Sequence, residues 1–377
     1  MHIAIDNRLS AYRVGGIPEY THQLVAALAA QLGTEHRLTI IEHRRGPRGM
    51  LGYGRPITRR GVWTPPHNRW EQLLLPLELA GLAADVVHFP DFIPLFRLRA
   101  PAVITVHDLA FLRFPGILDP NARRYYGQID AAVRRADAII AVSESTRHDL
   151  DELLGVDPRR VAVIHEAAAP AFGPLDRAAV SERRIGDARL RAGDFALFVG
   201  TLEPRKNLRT LLEALRLVID RKRTAPKLVI AGPRGWLDDP LFATVRRLRL
   251  EPHITFTGAV DRRALVWLYN ACRVYLHPEL YSGFGLPVLE AMQCGAPVIA
   301  ARSSSIPEVA GDAALLLEPE DPEAWADAWE QLWDDSAARR ELGARGIERA
   351  AGFSWQRAAA STLDVYRRVV DRSDDRP

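Results

Sequence analysis

Short continuous apolar runs alternate along this chain with stretches in which apolar residues recur at helical spacing. His2-Ile3-Ala4-Ile5, Leu38-Thr39-Ile40-Ile41, Asp85-Val86-Val87-His88-Phe89 and Ala102-Val103-Ile104-Thr105-Val106 read as buried strands. Ala138-Ile139-Ile140-Ala141-Val142 and Val161-Ala162-Val163-Ile164 complete a first series. Between the first two strands, Tyr20 to Leu32 carries helical spacing and stops before a glycine, as helices often do. Strands that are apolar throughout, with helices between them, predict a parallel sheet covered on both faces.

The stretch Ala167-Ala168-Ala169-Pro170-Ala171-Phe172-Gly173-Pro174 breaks the pattern and predicts a linker. The alternation then restarts. Phe195-Ala196-Leu197-Phe198-Val199-Gly200 is followed by the amphipathic Leu208 to Ile219. Lys227-Leu228-Val229-Ile230-Ala231-Gly232, Ile254-Thr255-Phe256, Val274-Tyr275-Leu276 and Pro297-Val298-Ile299-Ala300 continue it. The prediction is an α/β protein with two Rossmann-like parallel-sheet domains, residues 1–170 and 171–355. Ligands of open α/β sheets bind outside the carboxyl ends of the strands, and two such domains facing each other form a cleft.

Composition changes this picture little. A length of 377 residues fits two domains, and 47% hydrophobic with 26% charged residues is ordinary for a globular chain. The formal net charge of +3 is too small to argue for nucleic acid, and arginine greatly outnumbers lysine. Two cysteines, Cys272 and Cys294, make neither a disulfide framework nor a metal cluster; they read as small buried hydrophobes in a reducing compartment. The opening Met1-His2-Ile3-Ala4-Ile5-Asp6-Asn7 lacks a signal-peptide pattern, and no apolar run reaches the roughly 18–20 residues of a bilayer span. The expected location is cytoplasmic, with any membrane contact peripheral at the inner face.

The segment Ser282-Gly283-Phe284-Gly285-Leu286-Pro287-Val288-Leu289-Glu290 carries the strongest candidate chemistry. Glycines precede a proline suited to the first turn of a helix, and Gly295 is placed to end that helix. Such a helix start offers backbone N–H groups and the positive end of a dipole to a phosphate. Glu290, about one turn in, can reach a sugar diol. The glycines alone fit a tight ligand-free turn equally well. Arg205 and Lys206 stand between a strand and a helix, where two cations can neutralise a diphosphate or simply form a solvated basic turn. Gly15-Gly16 precedes the first long helix, as a close-approach site or a flexible loop. His107 follows a buried strand, where a packed histidine is the alternative to a functional one; Asp108 reads as a brace for that loop, and His88 and Asp91 also end a strand. Gly232-Pro233-Arg234 and Gly258-Ala259-Val260 close two further strands.

Tyr281-Ser282-Gly283-Phe284-Gly285-Leu286-Pro287-Val288-Leu289-Glu290-Ala291-Met292-Gln293-Cys294-Gly295-Ala296-Pro297-Val298-Ile299-Ala300, with Ser305-Ile306-Pro307-Glu308-Val309-Ala310-Gly311-Asp312, resembles the donor-site signature of the retaining glycosyltransferases of family 4. The resemblance covers nearly the whole chain, and its flavour is that of the mannosyltransferase-like branch that builds surface polysaccharides. It implies a GT-B fold. It implies that Glu290 binds the donor ribose, that Arg205 and Lys206 contact the diphosphate, and that Gly15-Gly16 closes near it. It places His107 against the transferred sugar, Gly232 and Val260 near the base, and Gly283, Phe284, Gly285 and Leu286 at the phosphates. The first glutamate of the family's pair falls on Ser282, a departure; Glu279 is the alternative carboxylate. By resemblance the helical stretch 356–372 returns to the first domain and permits hinged closure.

The implied activity is transfer of a hexose, mannose first, from a nucleotide diphosphate sugar (GDP-mannose, then a UDP-hexose) to a glycan or lipid-linked hydroxyl. Configuration is retained, and neither metal nor other cofactor is required. The alternatives are an epimerase or hydrolase of nucleotide sugars on the same fold, or a catalytically weak nucleotide-sugar-binding protein. Arg37, Arg44, Arg45, Arg48, Arg55, Arg59, Arg60 and Arg69, with Trp63 and Trp70, form a locally basic span opposed mainly by Glu42. It reads as a solvated surface or as a face for anionic membrane; no nucleic-acid motif accompanies it.

Overall fold

The structure, a computed structural model, describes residues 1–12, 15–46, 57–117, 120–176, 179–221, 226–235 and 239–374. It divides into two compact units: Met1–Glu166 with Ser354–Pro377, and Ala167–Phe353.

The first unit holds a seven-stranded parallel sheet. Its strands are β1 (His2–Asp6), β2 (Arg37–His43), β3 (Thr58–Val62), β4 (Val86–Phe89), β5 (Ala102–Val106), β6 (Ala138–Ala141) and β7 (Val161–Val163), in the order β3-β2-β1-β4-β5-β6-β7. Four of the residues in β5 are apolar and all five are buried, which is why it reads so clearly as a strand. β3 escapes the apolar-run signal because it is an edge strand with Thr58, Arg59, Arg60 and Gly61 exposed. The helix Trp355–Asp374 packs on the helix Gly16–Gln31. Gln31 Nε2 donates to the Gln356 carbonyl at 2.7 Å, and the Tyr20 ring meets Trp355 edge-on at 5.7 Å. His88, wholly buried, sits among Tyr366 and Thr105, with Nδ1 2.6 Å from the Tyr366 hydroxyl and Nε2 2.7 Å from the Thr105 hydroxyl. It is a core histidine, and burial pushes its pKa down to about 3.

The second unit opens with an antiparallel hairpin, β8 (Glu182–Ile185) and β9 (Ala188–Arg191). A six-stranded parallel sheet follows: β10 (Phe195–Val199), β11 (Lys227–Ala231), β12 (Ile254–Gly258), β13 (Val274–His277), β14 (Val298–Ala301) and β15 (Leu315–Leu317). Its order is β12-β11-β10-β13-β14-β15. The helices Leu208–Arg221 and Pro322–Asp334 pack together and bury Leu211, Leu212, Leu215, Trp325 and Trp329 in one core. Each fully buried leucine there contributes roughly 1.5–3 kcal/mol. Asp261 and Asp321 cap their helices by accepting the N–H of Ala264 and Ala324, three residues on.

The predicted linker is corrected by packing. Ala167, Ala168, Ala169 and Phe172 are buried. Gln293 Nε2 donates to the Phe172 carbonyl at 2.7 Å, Asn270 Nδ2 to Gly173 at 3.0 Å, and Phe172 meets the Tyr269 ring at 5.9 Å. Small residues here permit close packing rather than freedom. Cys272 and Cys294 are buried free thiols, and burial pushes the Cys294 thiol up to about 12.

Candidate functional site

In the second unit the strand order reverses between β10 and β13. A ligand crevice forms outside the carboxyl ends of the strands at such a reversal, because the connecting segments depart to opposite sides. The segments leaving these two strands are Gly200–Asn207 and Pro278–Gly285, and they meet where the Leu280 N–H donates to the Arg205 carbonyl at 3.0 Å, just before Ser282, Gly283, Phe284 and Gly285 in the chain.

The turn after β10 is pinned by Asn207, which adopts a φ of 51°, a left-handed conformation that asparagine tolerates better than most residues. Its Nδ2 donates to the carbonyls of Pro278 at 3.1 Å and Pro319 at 2.6 Å, while its Oδ1 accepts from the Thr210 hydroxyl at 3.0 Å. Arg205 Nη1 donates to the Tyr281 carbonyl at 2.8 Å and Nη2 to the Glu203 carboxylate at 2.6 Å. Lys206 Nζ donates to the Glu279 carboxylate. Both cations are mostly buried and fixed in place.

Glu279 itself is wholly buried, so it stands under the cation pair and offers no open carboxylate in place of the one missing at Ser282. Burial opposes its charge, but Lys206 and Arg205 outweigh that cost and hold its carboxyl at about 2. His277, 3.6 Å away, stays neutral because burial pulls its pKa down to about 4. Its Nδ1 lies 3.1 Å from the Tyr275 hydroxyl.

Three serines after β14 hold the other segment. Ser303 Oγ donates to the Glu279 carbonyl at 2.6 Å, Ser304 Oγ to Ser282 at 2.9 Å, and Ser305 Oγ to the carbonyls of Ser282 and Phe284 at 2.7 and 2.8 Å. With these carbonyls occupied, the turn runs straight into the helix Leu286–Gln293. Gly285 caps that helix with a φ of 101°, and a Cβ there would lie 2.6 Å from Ile306 Cδ1. Glycine is required on both counts. Pro287 occupies the first turn and Gly295 turns left-handed after the last. Glu290, one turn in, accepts from the buried Tyr269 hydroxyl at 3.0 Å.

Gly232 follows β11, and its backbone passes so close to Gly200 that a Cβ would lie 2.0 Å from the Gly200 carbonyl oxygen. Its N–H donates to the Gly258 carbonyl at 2.9 Å, and Val260 follows, half-buried. Gly232 and Val260 therefore lie at the same carboxyl edge as Arg205 and the Ser282 turn. A hollow lined by Gly193, Asp194, Arg273, Arg339 and Arg340 opens at the opposite, amino edge and contains none of the candidate residues.

In the first unit, His107 follows β5, with Nδ1 2.8 Å from Glu166 Oε1 and Nε2 3.1 Å from the Pro90 carbonyl. Carboxylate and carbonyl only accept, so both contacts favour the doubly protonated ring. Burial works against that charge, but Glu166, then Asp91 and Asp108, raise the pKa above its ordinary value. The sign follows: stability from this ion pair is complete below about pH 6.5 and is lost as pH rises through the raised pKa. His107→Gln is expected to flatten the alkaline limb of a chemical-denaturation pH profile; an unchanged profile would show that His107 is neutral. Asp108 Oδ1 accepts from the Ala110 N–H at 3.0 Å and braces the loop. Gly15 and Gly16 are exposed at the start of the Gly16–Gln31 helix, and a Cβ on either would meet open space.

Glu166, Glu203, Tyr269, Ser303 and Ser304 escape sequence reasoning, while Ser305 stands in the signature without its hydrogen bonds being legible there. Their only signal is position: Glu166, Glu203 and Ser303 each fall within a few residues of the carboxyl end of a strand.

Family models agree with this architecture. "Glycosyltransferase Family 4" matches residues 14–170, and "Glycosyl transferases group 1" matches residues 189–349. O-antigen chain mannosyltransferase B of Escherichia coli is 34% identical, over 75% of this chain and 74% of that one. Serotype-specific mannosyltransferase WbdA of Escherichia coli is 28% identical over the whole of this chain, which spans about half (49%) of WbdA. The structure of HepE from Anabaena, in complex with UDP and glucose, superposes with a TM-score of 0.72 at 17% identity, covering 97% of this chain and 99% of that one. The chain belongs to glycosyltransferase family 4, with the GT-B fold, and is a glycosyltransferase.

Proposed function

We propose that the protein transfers a hexose, mannose before glucose, from a nucleotide diphosphate sugar to a hydroxyl of a glycan or lipid-linked acceptor, with retained configuration and without a metal. The observation that carries this reading is the meeting, at the strand reversal of the second unit, of the Arg205–Lys206 turn with the segment that leads into the Leu286–Gln293 helix. The guanidinium, the ammonium and the helix N-terminus together stabilise a departing diphosphate. In the step proposed, the acceptor oxygen bonds the anomeric carbon on the face the diphosphate leaves. The anomeric C–O bond breaks, and the acceptor proton passes to a phosphate oxygen. Mannose is favoured by the names of the two Escherichia coli relatives, and a nucleotide by the ligand named for HepE.

Thermal shifts with GDP, UDP and ADP, followed by product analysis with GDP-mannose and UDP-glucose, test the donor, since a bound ligand raises the melting temperature by mass action. No shift with any of the three nucleotides would overturn the reading. Turnover that persists in excess EDTA is expected; loss restored by magnesium would overturn metal independence. Glu290→Ala is expected to weaken calorimetric affinity for the free nucleoside diphosphate by about tenfold, the scale of one charged hydrogen bond. Unchanged affinity would remove Glu290 from the ribose.

A further inference from the structure

The helix Glu71–Glu78 is turned inside out relative to the usual rule. Trp70, Leu73, Leu74 and Leu77 recur at the spacing that normally faces a core. Here they are exposed, at 50%, 54%, 48% and 73% of their surface. Glu71, Leu75 and Leu79 form the buried face instead. Trp63, 57% exposed, is joined to the same helix. Glu78, at the end of the helix, accepts the N–H of Trp63 and of Thr64 and so ties the two together.

Cations frame this apolar face. Arg69 lies over the Trp70 ring at 5.0 Å and Arg44 over the Trp63 ring at 5.3 Å. Exposed Arg60 donates to the Glu78 carbonyl at the end of the helix. The acids nearby are already engaged: Glu78 by those backbone groups, Glu71 by Arg8, and Glu42 by Arg59 at 3.7 Å. Arg48 and Arg55 of the basic span lie outside the described residues.

We propose that this face docks the first unit on an anionic lipid bilayer, with the leucines and indoles entering the headgroup–acyl boundary and the arginines meeting lipid phosphates. The apolar stripe explains burial in the bilayer, and the arginines stacked on indoles explain preference for an anionic surface. A second protein copy would leave the stacked arginines facing like charges, because both copies would present the same patch. Among the described residues no helix is long and apolar enough to cross a membrane, so the contact is interfacial. The inference does not rest on the donor reading.

The full chain is sedimented with vesicles of phosphatidylcholine alone and with equal parts phosphatidylcholine and phosphatidylglycerol. The chain is expected to pellet with the anionic vesicles. Leu73→Gln, Leu74→Gln and Leu77→Gln together are expected to cut partitioning by at least an order of magnitude. Arg44→Gln with Arg69→Gln is expected to remove on the order of tenfold on anionic vesicles only. In the unmodified chain, brominated lipid is expected to quench tryptophan emission, and Trp63→Phe with Trp70→Phe to abolish that quenching. The proposal is overturned if the chain stays in the supernatant with both vesicles, or if the leucine variant pellets like the parent. It is equally overturned if the leucine changes disperse a vesicle-free dimer while vesicles capture nothing.

Discussion

Arg205→Ala is expected to lower kcat by about 100- to 1,000-fold, the scale of removing one preorganised donor to developing charge. The guanidinium is held on two sides before any substrate arrives, by the Tyr281 carbonyl at 2.8 Å and the Glu203 carboxylate at 2.6 Å. A group already fixed costs no reorganisation when the diphosphate leaves, so its loss falls on the transition state rather than on donor affinity alone. Arg205→Lys is expected to recover little, because an ammonium cannot span the two partners as a planar fork does. Single-turnover rates with saturating donor separate chemistry from binding. Turnover within a few fold of the parent would end the diphosphate role.

Glu279→Ala is expected to destabilise the second unit by about 3–5 kcal/mol, the cost of leaving a buried partner charge uncompensated. The carboxylate is wholly buried, and Lys206 keeps only 13% of its side-chain surface. Removing Lys206 as well, in Glu279→Gln with Lys206→Met, is expected to restore much of the loss, since an apolar replacement of a whole buried pair is often neutral. The pair also sets an acid limit. A carboxyl held at about 2 contributes stability in full above its unfolded value near 4.3 and loses it as pH falls through about 2. Urea unfolding of the single and double variants reads both effects. Equal stability of the single variant and parent would mean that Glu279 is not ionised.

Most of the apolar strands were legible because a strand buried on both faces needs continuous apolar residues, as in Phe195 to Val199; the three-leucine edge strand β15, short and only half-buried, was not. β3, β8 and β9 were not, because each exposes charged residues at an edge or in a hairpin. The Ser282–Glu290 turn was legible as a helix start because glycines and a proline stand at fixed offsets. The serines that hold its carbonyls come from the next strand, and no local spacing reports that pairing. Burial was the hardest property to read. His88 and His107 both follow the same kind of apolar run, yet one is a neutral core residue and the other an ion-pair partner. Glu279 shares a segment with the turn but points beneath it.

The return of the Trp355–Asp374 helix to the first unit makes that unit discontinuous, while the second is one uninterrupted stretch. A ribosome therefore releases every residue of the second unit before the first unit has its last helix. Until then Tyr20 lacks Trp355 against its ring and His88 lacks the Tyr366 hydroxyl. The unit whose synthesis begins first is therefore the one whose folding finishes last, because the Trp355–Asp374 helix that completes its core is made only after the whole of the second unit.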